Sequence, residues 1–205
     1  MKDYFKYYLK MAFMPFIYLV FSAMLGLAVL TIQDNNLQWL QYVLCGVNLA
    51  FYSLVMSMAA IKDGRKALKV REQNDTYRRV IMQTGDDLPL NIVEEYTHWK
   101  GFTISLISCI PSILLVAVHF LLNIGVAVPD NSVGGIAGIL NMVVFSFFMI
   151  DGVILTAEYA FALLIVPFIC IVYGVMYMIG ANLEQKNYDK IKQIHQELHG
   201  DEKCE

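Results

Sequence analysis

Long stretches without any basic residue constrain this chain more than any other feature. No lysine or arginine occurs from Met11 to Ile61 or from Gly101 to Gln185. A bilayer core about 30 Å thick is crossed by a helix of about 20 apolar residues. Each stretch is long enough for at least two such helices, so the sequence predicts a protein whose solvent is mostly lipid.

The composition points the same way. The 205 residues are 58% hydrophobic and 16% charged, whereas soluble domains are about 45–50% apolar and about 25% charged. A soluble domain of similar length still exposes roughly 30% of its surface, which leaves too little room to hide this much apolar area. The same richness in apolar residues excludes a disordered chain.

Apolar runs of membrane-crossing length follow one another along the chain. We predict an all-α fold, a polytopic transmembrane helical bundle of four to five membrane helices that forms one integral membrane domain over residues 1–205. Whether residues 131–150 cross the membrane is left open. The predicted membrane helices are 11–33, 37–61, 101–128, 131–150 and 159–183.

The basic residues predict the orientation. Eight of the fifteen lie between Lys62 and Lys100, and three more open the chain. Cytoplasmic loops are rich in Lys and Arg, so the N-terminus and residues 62–100 are predicted to be cytoplasmic, with a bacterial-type plasma (inner) membrane as the default location. Lysines after residue 185 favour a cytoplasmic tail, which requires four crossings. Hydropathy favours five crossings, and both alternatives stay open.

Residues 62–100 are predicted to form a cytoplasmic helical hairpin. A first helix, Lys62–Gln83, extends the second membrane run and is ended at Gly85, and a second helix has Pro89 in its first turn. The amphipathic tail, 184–205, is expected to lie on the membrane or to bind a partner helix. Four basic side chains near the membrane are expected to contact anionic lipid head groups, at about 1 kcal/mol each. They are Lys62, Arg65, Lys66 and Lys69.

Intramembrane ionisable residues are the candidates for substrate or ion binding. Asp151 and Glu158 are seven residues apart, which is about 700° on a helix and places both on one face. His119 lies in the third run. Ionisable groups are costly in lipid, so these positions are functional hypotheses. In the alternative, Asp151 begins a short loop and both carboxylates reach interfacial water.

Pairs of small residues suggest close helix packing. Ser22 with Gly26, Gly46 with Ala50, and Gly134 with Gly138 are spaced four apart, as in helices whose backbones approach closely. Packing within one chain is the favoured interpretation, with a homo-oligomer as the alternative. The cysteines of the apolar runs are interpreted as small hydrophobic residues.

No sequence motif of a nucleophilic, phosphate-binding, dinucleotide-binding or zinc site occurs, so we expect no catalytic residue, cofactor or bound metal.

The predicted function is a non-enzymatic integral membrane accessory, scaffold or regulatory protein that acts through helix packing and the hairpin. The alternative is a small transporter or permease subunit that uses the intramembrane carboxylates. The expected partners are the bilayer and other membrane subunits. Nucleic acid is not expected, because seven acids nearly cancel the eight bases of residues 62–100.

Overall fold

The described part of the chain is helical. A computed structural model describes residues 2–30, 38–85, 87–123 and 165–199, and these ranges contain helices and turns but no strand. The predicted all-α class is therefore confirmed. The helices are α1 (Lys2–Leu30), α2 (Gln38–Thr84), α3 (Lys100–Asn123) and α4 (Ile165–His199).

Each helix contains much of one predicted membrane run, and two helices continue well beyond it. α2 passes without a break from the apolar run 37–61 into the basic stretch, and its 47 residues span about 70 Å. α4 likewise continues past the run 159–183 into the tail. The run 131–150 lies outside the described residues.

α2 ends where the sequence predicts. Gly85 has a positive φ of 75°, and its amide donates to the carbonyl of Ile81 at 2.9 Å. A glycine in the left-handed region that returns a hydrogen bond to the last turn is a common way to end a helix. The predicted helical extension of the second run is thus present as the second part of α2.

The prediction that a second helix of the hairpin begins at Pro89 is wrong. Residues 87–99 form turns and irregular chain, and the next helix begins only at Lys100. Side chains supply the reason. The amide of Asn91 donates to Asn74 Oδ1 at 3.0 Å, and Asn74 Nδ2 donates back to the Asn91 carbonyl at 3.1 Å. Main-chain groups that would bond within a helix are paired with α2 instead.

The helices pack as a bundle in which α2 and α4 form the most extensive pair. These two helices run parallel, because Asp63 contacts Tyr173 while Lys69 contacts Glu184 further along both helices. α2 and α4 therefore leave the same end of the bundle. The core between the helices includes Tyr52, Met56, Ala60, Ile104, Ile169, Tyr173 and Tyr177.

The outside of the bundle is rich in large apolar side chains. Phe13 of α1 is 58% exposed, and similarly exposed residues occur on the other three helices, among them Val47, Leu114 and Ile171. Within the described ranges, one helical segment, Val166–Glu197, is by itself long and apolar enough to cross a membrane. Among the described residues, this segment is the feature of the fold that supports membrane association.

Candidate functional site

The predicted intramembrane site falls largely outside the described residues. Asp151 and Glu158 both lie there, and His119 is described only as a position within α3. Their roles in substrate or ion binding stay predictions.

The predicted head-group residues lie on the part of α2 that follows the apolar run. Lys62 and Arg65 are exposed. Lys66 Nζ pairs with Glu94 at 3.3 Å, and Lys69 Nζ pairs with Glu184 at 3.4 Å. Both lysine side chains stay more than half exposed, so these ion pairs leave room for the predicted lipid contacts and contribute little stability.

Polar side chains from all four helices and from residues 87–99 meet at the level where α3 begins. We refer to this group as the polar cluster. Four of its members are buried and two are half-buried, and they are linked by hydrogen-bond, ring-stacking and cation–π contacts. The polar cluster consists of Tyr7, Asp63, Tyr96, Lys100, Tyr173 and Tyr177.

Lys100 holds the irregular segment onto the bundle. Its side chain is 97% buried, leaving 3% exposed, and Nζ donates to the carbonyls of Val93 at 2.7 Å and Glu95 at 2.6 Å. The same ammonium lies 4.8 Å from the centre of the Tyr7 ring, within range of a cation–π contact. Burial lowers the pKa of Lys100 to about 8, although Glu94 and Glu95 oppose that change. One side chain thus joins α3, α1 and residues 87–99.

Asp63 is a half-buried carboxyl between α2 and α4. The hydroxyl of Tyr173 donates to Asp63 Oδ2 at 2.6 Å. Burial raises the pKa of Asp63, while the Tyr173 hydrogen bond and the charges of Lys62 and Lys66 act against that rise. The folded protein therefore destabilises the ionised form of Asp63, relative to the protonated form, more than water does.

Replacing this carboxylate should stabilise the protein at neutral pH. Asp63→Asn keeps an acceptor for Tyr173 but removes the half-buried charge. The folded state holds the Asp63 proton to higher pH than the unfolded state, so the wild type loses stability as pH rises through the folded pKa. Asp63→Asn should therefore exceed the wild type in thermal stability at pH 7, with the difference shrinking towards pH 4.

The control is Asp63→Leu, which removes the charge and the acceptor together. It leaves the buried Tyr173 hydroxyl without its partner, at a cost of about 1–3 kcal/mol relative to Asp63→Asn. A wild type that is more stable than Asp63→Asn at pH 7 would show that the carboxylate is favourable where it lies.

Tyr177 lies at the centre of the polar cluster. Its ring stacks on Tyr96 with 5.5 Å between ring centres. Its hydroxyl is buried and has no hydrogen-bond partner among the described residues. The backbone at Tyr177 also lies against Gly64 of α2, where a β-carbon would collide with the Tyr177 carbonyl. The close crossing of α2 and α4 therefore depends on glycine at position 64, which has no side chain.

A charged network fixes the remainder of residues 87–99 along α2. Arg78 Nη2 donates to Glu95 Oε2 at 2.9 Å, and Arg78 Nη1 donates to Asp75 Oδ1 at 2.7 Å. The buried Asn74 also donates to Glu95, at 3.1 Å. These hydrogen bonds join Arg78 and Asn74 of α2 to Glu95 and so hold this segment against the helix.

Sequence reasoning did not identify the polar cluster. Asp63 and Lys100 flank apolar runs and look like solvated charges, and the tyrosines look like core residues. One signal was available: Ala60 and Gly64 are spaced four apart across the end of an apolar run, and this pairing continues the packed face of α2 past the expected membrane boundary.

Comparison with known protein families, with curated proteins and with solved structures finds no match to this chain.

Proposed function

We propose that this chain is a multi-pass membrane scaffold, a non-enzymatic protein that presents a rigid cytoplasmic platform to a protein partner. The platform comprises residues 62–84 of α2, residues 87–99, and residues 184–199 of α4. The bilayer that we propose is a bacterial-type plasma membrane, with the N-terminus and the platform on the cytoplasmic side.

Exposed apolar side chains on all four described helices support the proposal of a lipid-embedded bundle. Soluble monomers rarely leave such extensive apolar surface in contact with water. The parallel arrangement of α2 and α4 bears on the number of crossings. Because Lys69 pairs with Glu184, the tail leaves the bundle on the side of the basic stretch. That arrangement favours four crossings and a cytoplasmic tail, as the lysines of the tail predict.

The observation that carries the scaffold proposal is the network that fixes residues 87–99. Arg78, Asn74 and Lys100 bind this irregular segment through charged and main-chain groups. Fully satisfied polar networks impose one rigid arrangement. A fixed irregular segment displays side chains in a set geometry, as binding surfaces do. Two large apolar side chains are displayed on the platform, with Ile92 54% exposed and Met82 85% exposed.

Site-specific photo-crosslinking in native membranes tests this proposal. A benzophenone amino acid at position 92 or 82 should give one discrete heavier adduct. The same probe at position 13, on the apolar side of α1, serves as the control and should react with lipid. Because Arg78 holds the segment, Arg78→Ala should reduce the adduct at position 92 at least fivefold. Asp151→Asn with Glu158→Gln should leave it unchanged.

Two outcomes would contradict the scaffold proposal. One is the same adduct pattern at positions 13 and 92, which would mean that the platform has no specific partner. The other is loss of the adduct in the Asp151→Asn, Glu158→Gln protein while Arg78→Ala retains it, which would favour the transporter alternative.

A further inference from the structure

We propose that Cys109 and Cys170 form a redox-active pair, which a hydroperoxide converts into a disulfide linking α3 to α4. The two residues come from apolar runs far apart in the sequence, where each looks like an isolated small hydrophobic residue. In the structure both thiols are free, and each lies close enough to the other to interact with it.

The register of the two helices independently places the cysteines side by side. α3 and α4 run antiparallel: Gly101 lies against the Tyr177 side chain, and Gly174 lies against the Phe102 ring. Cys109 is eight residues beyond Gly101 on α3, and Cys170 is seven residues before Tyr177 on α4. At about 1.5 Å per residue, these steps bring both cysteines to the same level of the bundle.

The helices also approach closely at this crossing. A β-carbon at Gly101 would collide with the Tyr177 side chain, and one at Gly174 with the Phe102 ring, so these glycines make room for the aromatic side chains between the helices. A disulfide requires α-carbons about 4.4–6.8 Å apart, which only closely packed helices provide. Forming the linkage therefore requires Cys109 and Cys170 to come within that distance of each other.

The two thiols differ in access. Cys109 is 1% exposed, whereas Cys170 is half-buried. A hydroperoxide carried in the bilayer therefore meets Cys170 first. Cys109 then serves as the resolving thiol from inside the core, an arrangement typical of redox-sensing cysteine pairs.

The reaction balances with the hydroperoxide as the oxidant. The sulfur of Cys170, losing its proton, attacks the terminal oxygen; the O–O bond breaks, giving a sulfenic acid and an alcohol. The sulfur of Cys109 then attacks the sulfenic sulfur, the S–O bond breaks, and the oxygen leaves as water with the thiol proton. Two thiols and one hydroperoxide thus give one disulfide, one alcohol and one water.

The test uses the full chain with Cys45→Ser and Cys204→Ser, so that only the pair remains. The protein is treated in membranes with tert-butyl hydroperoxide, quenched, denatured and alkylated. We expect the intact mass to fall by two hydrogen atoms, both cysteines to resist alkylation until a reductant is added, and a linked peptide to contain both residues.

Single variants assign the roles. Cys109→Ser should stop at a sulfenic acid on Cys170 that dimedone traps, and Cys170→Ser should react at least tenfold more slowly. The proposal is overturned if both thiols of the double-serine protein stay alkylatable after oxidation, if both are oxidised further without a linked peptide, or if the only disulfides join two chains. The oxidation experiment on the Cys45→Ser, Cys204→Ser protein tests disulfide formation even if one of the single variants does not fold.

Discussion

Gly64→Ala should lower the free energy of unfolding by about 3 kcal/mol, the upper part of the range for overpacking a core. The added β-carbon would collide with the main-chain carbonyl of Tyr177, and backbone atoms cannot turn away as a flexible side chain can. α2 and α4 must therefore separate. The reciprocal contact, Gly180 against the backbone of Ile61, would open with it.

Gly46→Ala is the matched control for this prediction. Gly46 is also within α2, but a β-carbon there meets nothing within 4 Å in the described part of the chain. The same substitution should therefore be neutral or stabilising by up to about 1 kcal/mol, since alanine favours a helix over glycine. Thermal unfolding in detergent, followed by circular dichroism, compares the two. Equal effects would mean that α2 and α4 do not cross at Gly64.

Lys100→Met should destabilise the protein by about 2 kcal/mol at pH 7. The substitution leaves the carbonyls of Val93 and Glu95 without their donor, and each buried unsatisfied group costs about 1–3 kcal/mol. Relief of the buried charge offsets part of this loss, as the lowered pKa of Lys100 indicates. Lys10→Met, at an exposed lysine of α1, is the control and should change stability little.

The pH dependence of Lys100→Met gives this prediction a second signature. The folded pKa of Lys100 is about 8, below its usual 10.5. Between these values the unfolded state binds more protons, so this lysine makes stability rise with pH. The deficit of Lys100→Met relative to the wild type should therefore widen from pH 8 to pH 10. A deficit that narrows there would show that Lys100 is stabilised in its charged form.

The helices could be predicted because their signals are local. The length of an apolar run and the charges at its ends are properties of one segment, and Gly85 ends α2 through its own backbone conformation. The extent of α2 beyond residue 61 was also predicted, because the basic stretch is rich in residues that favour a helix.

The polar cluster could not be predicted, because its interactions join distant parts of the chain. Asp63 and Tyr173 are 110 positions apart, and neither residue indicates its partner. The helix expected from Pro89 was wrong for a related reason. Asn74 and Lys100 offer hydrogen bonds to residues 87–99 that local propensity does not register.

The sequence predicts that small residues mediate helix packing, but it does not predict which of them do so. The sequence suggests small-residue packing at Gly46 and Ala50, whereas the close approaches in the described residues occur at Gly64, Gly101, Gly174 and Gly180. The pairs Ser22 with Gly26 and Gly134 with Gly138 concern side chains outside the described part. A glycine allows close approach, but which glycine is used depends on the helix opposite.

The proposed membrane topology is tested by the sidedness of positions 82 and 192, which we propose to be cytoplasmic. In a cysteine-free background, Met82→Cys on α2 and Lys192→Cys on α4 are probed with a membrane-impermeant maleimide. Asn35→Cys is the control, because position 35 lies between the predicted membrane helices 11–33 and 37–61 and is therefore expected on the opposite side of the membrane. We expect positions 82 and 192 to be labelled in inverted vesicles and protected in intact cells, and position 35 to be labelled in intact cells and protected in inverted vesicles. Labelling of 82 and 192 from opposite sides, or extraction of the protein from membranes by carbonate, would contradict it.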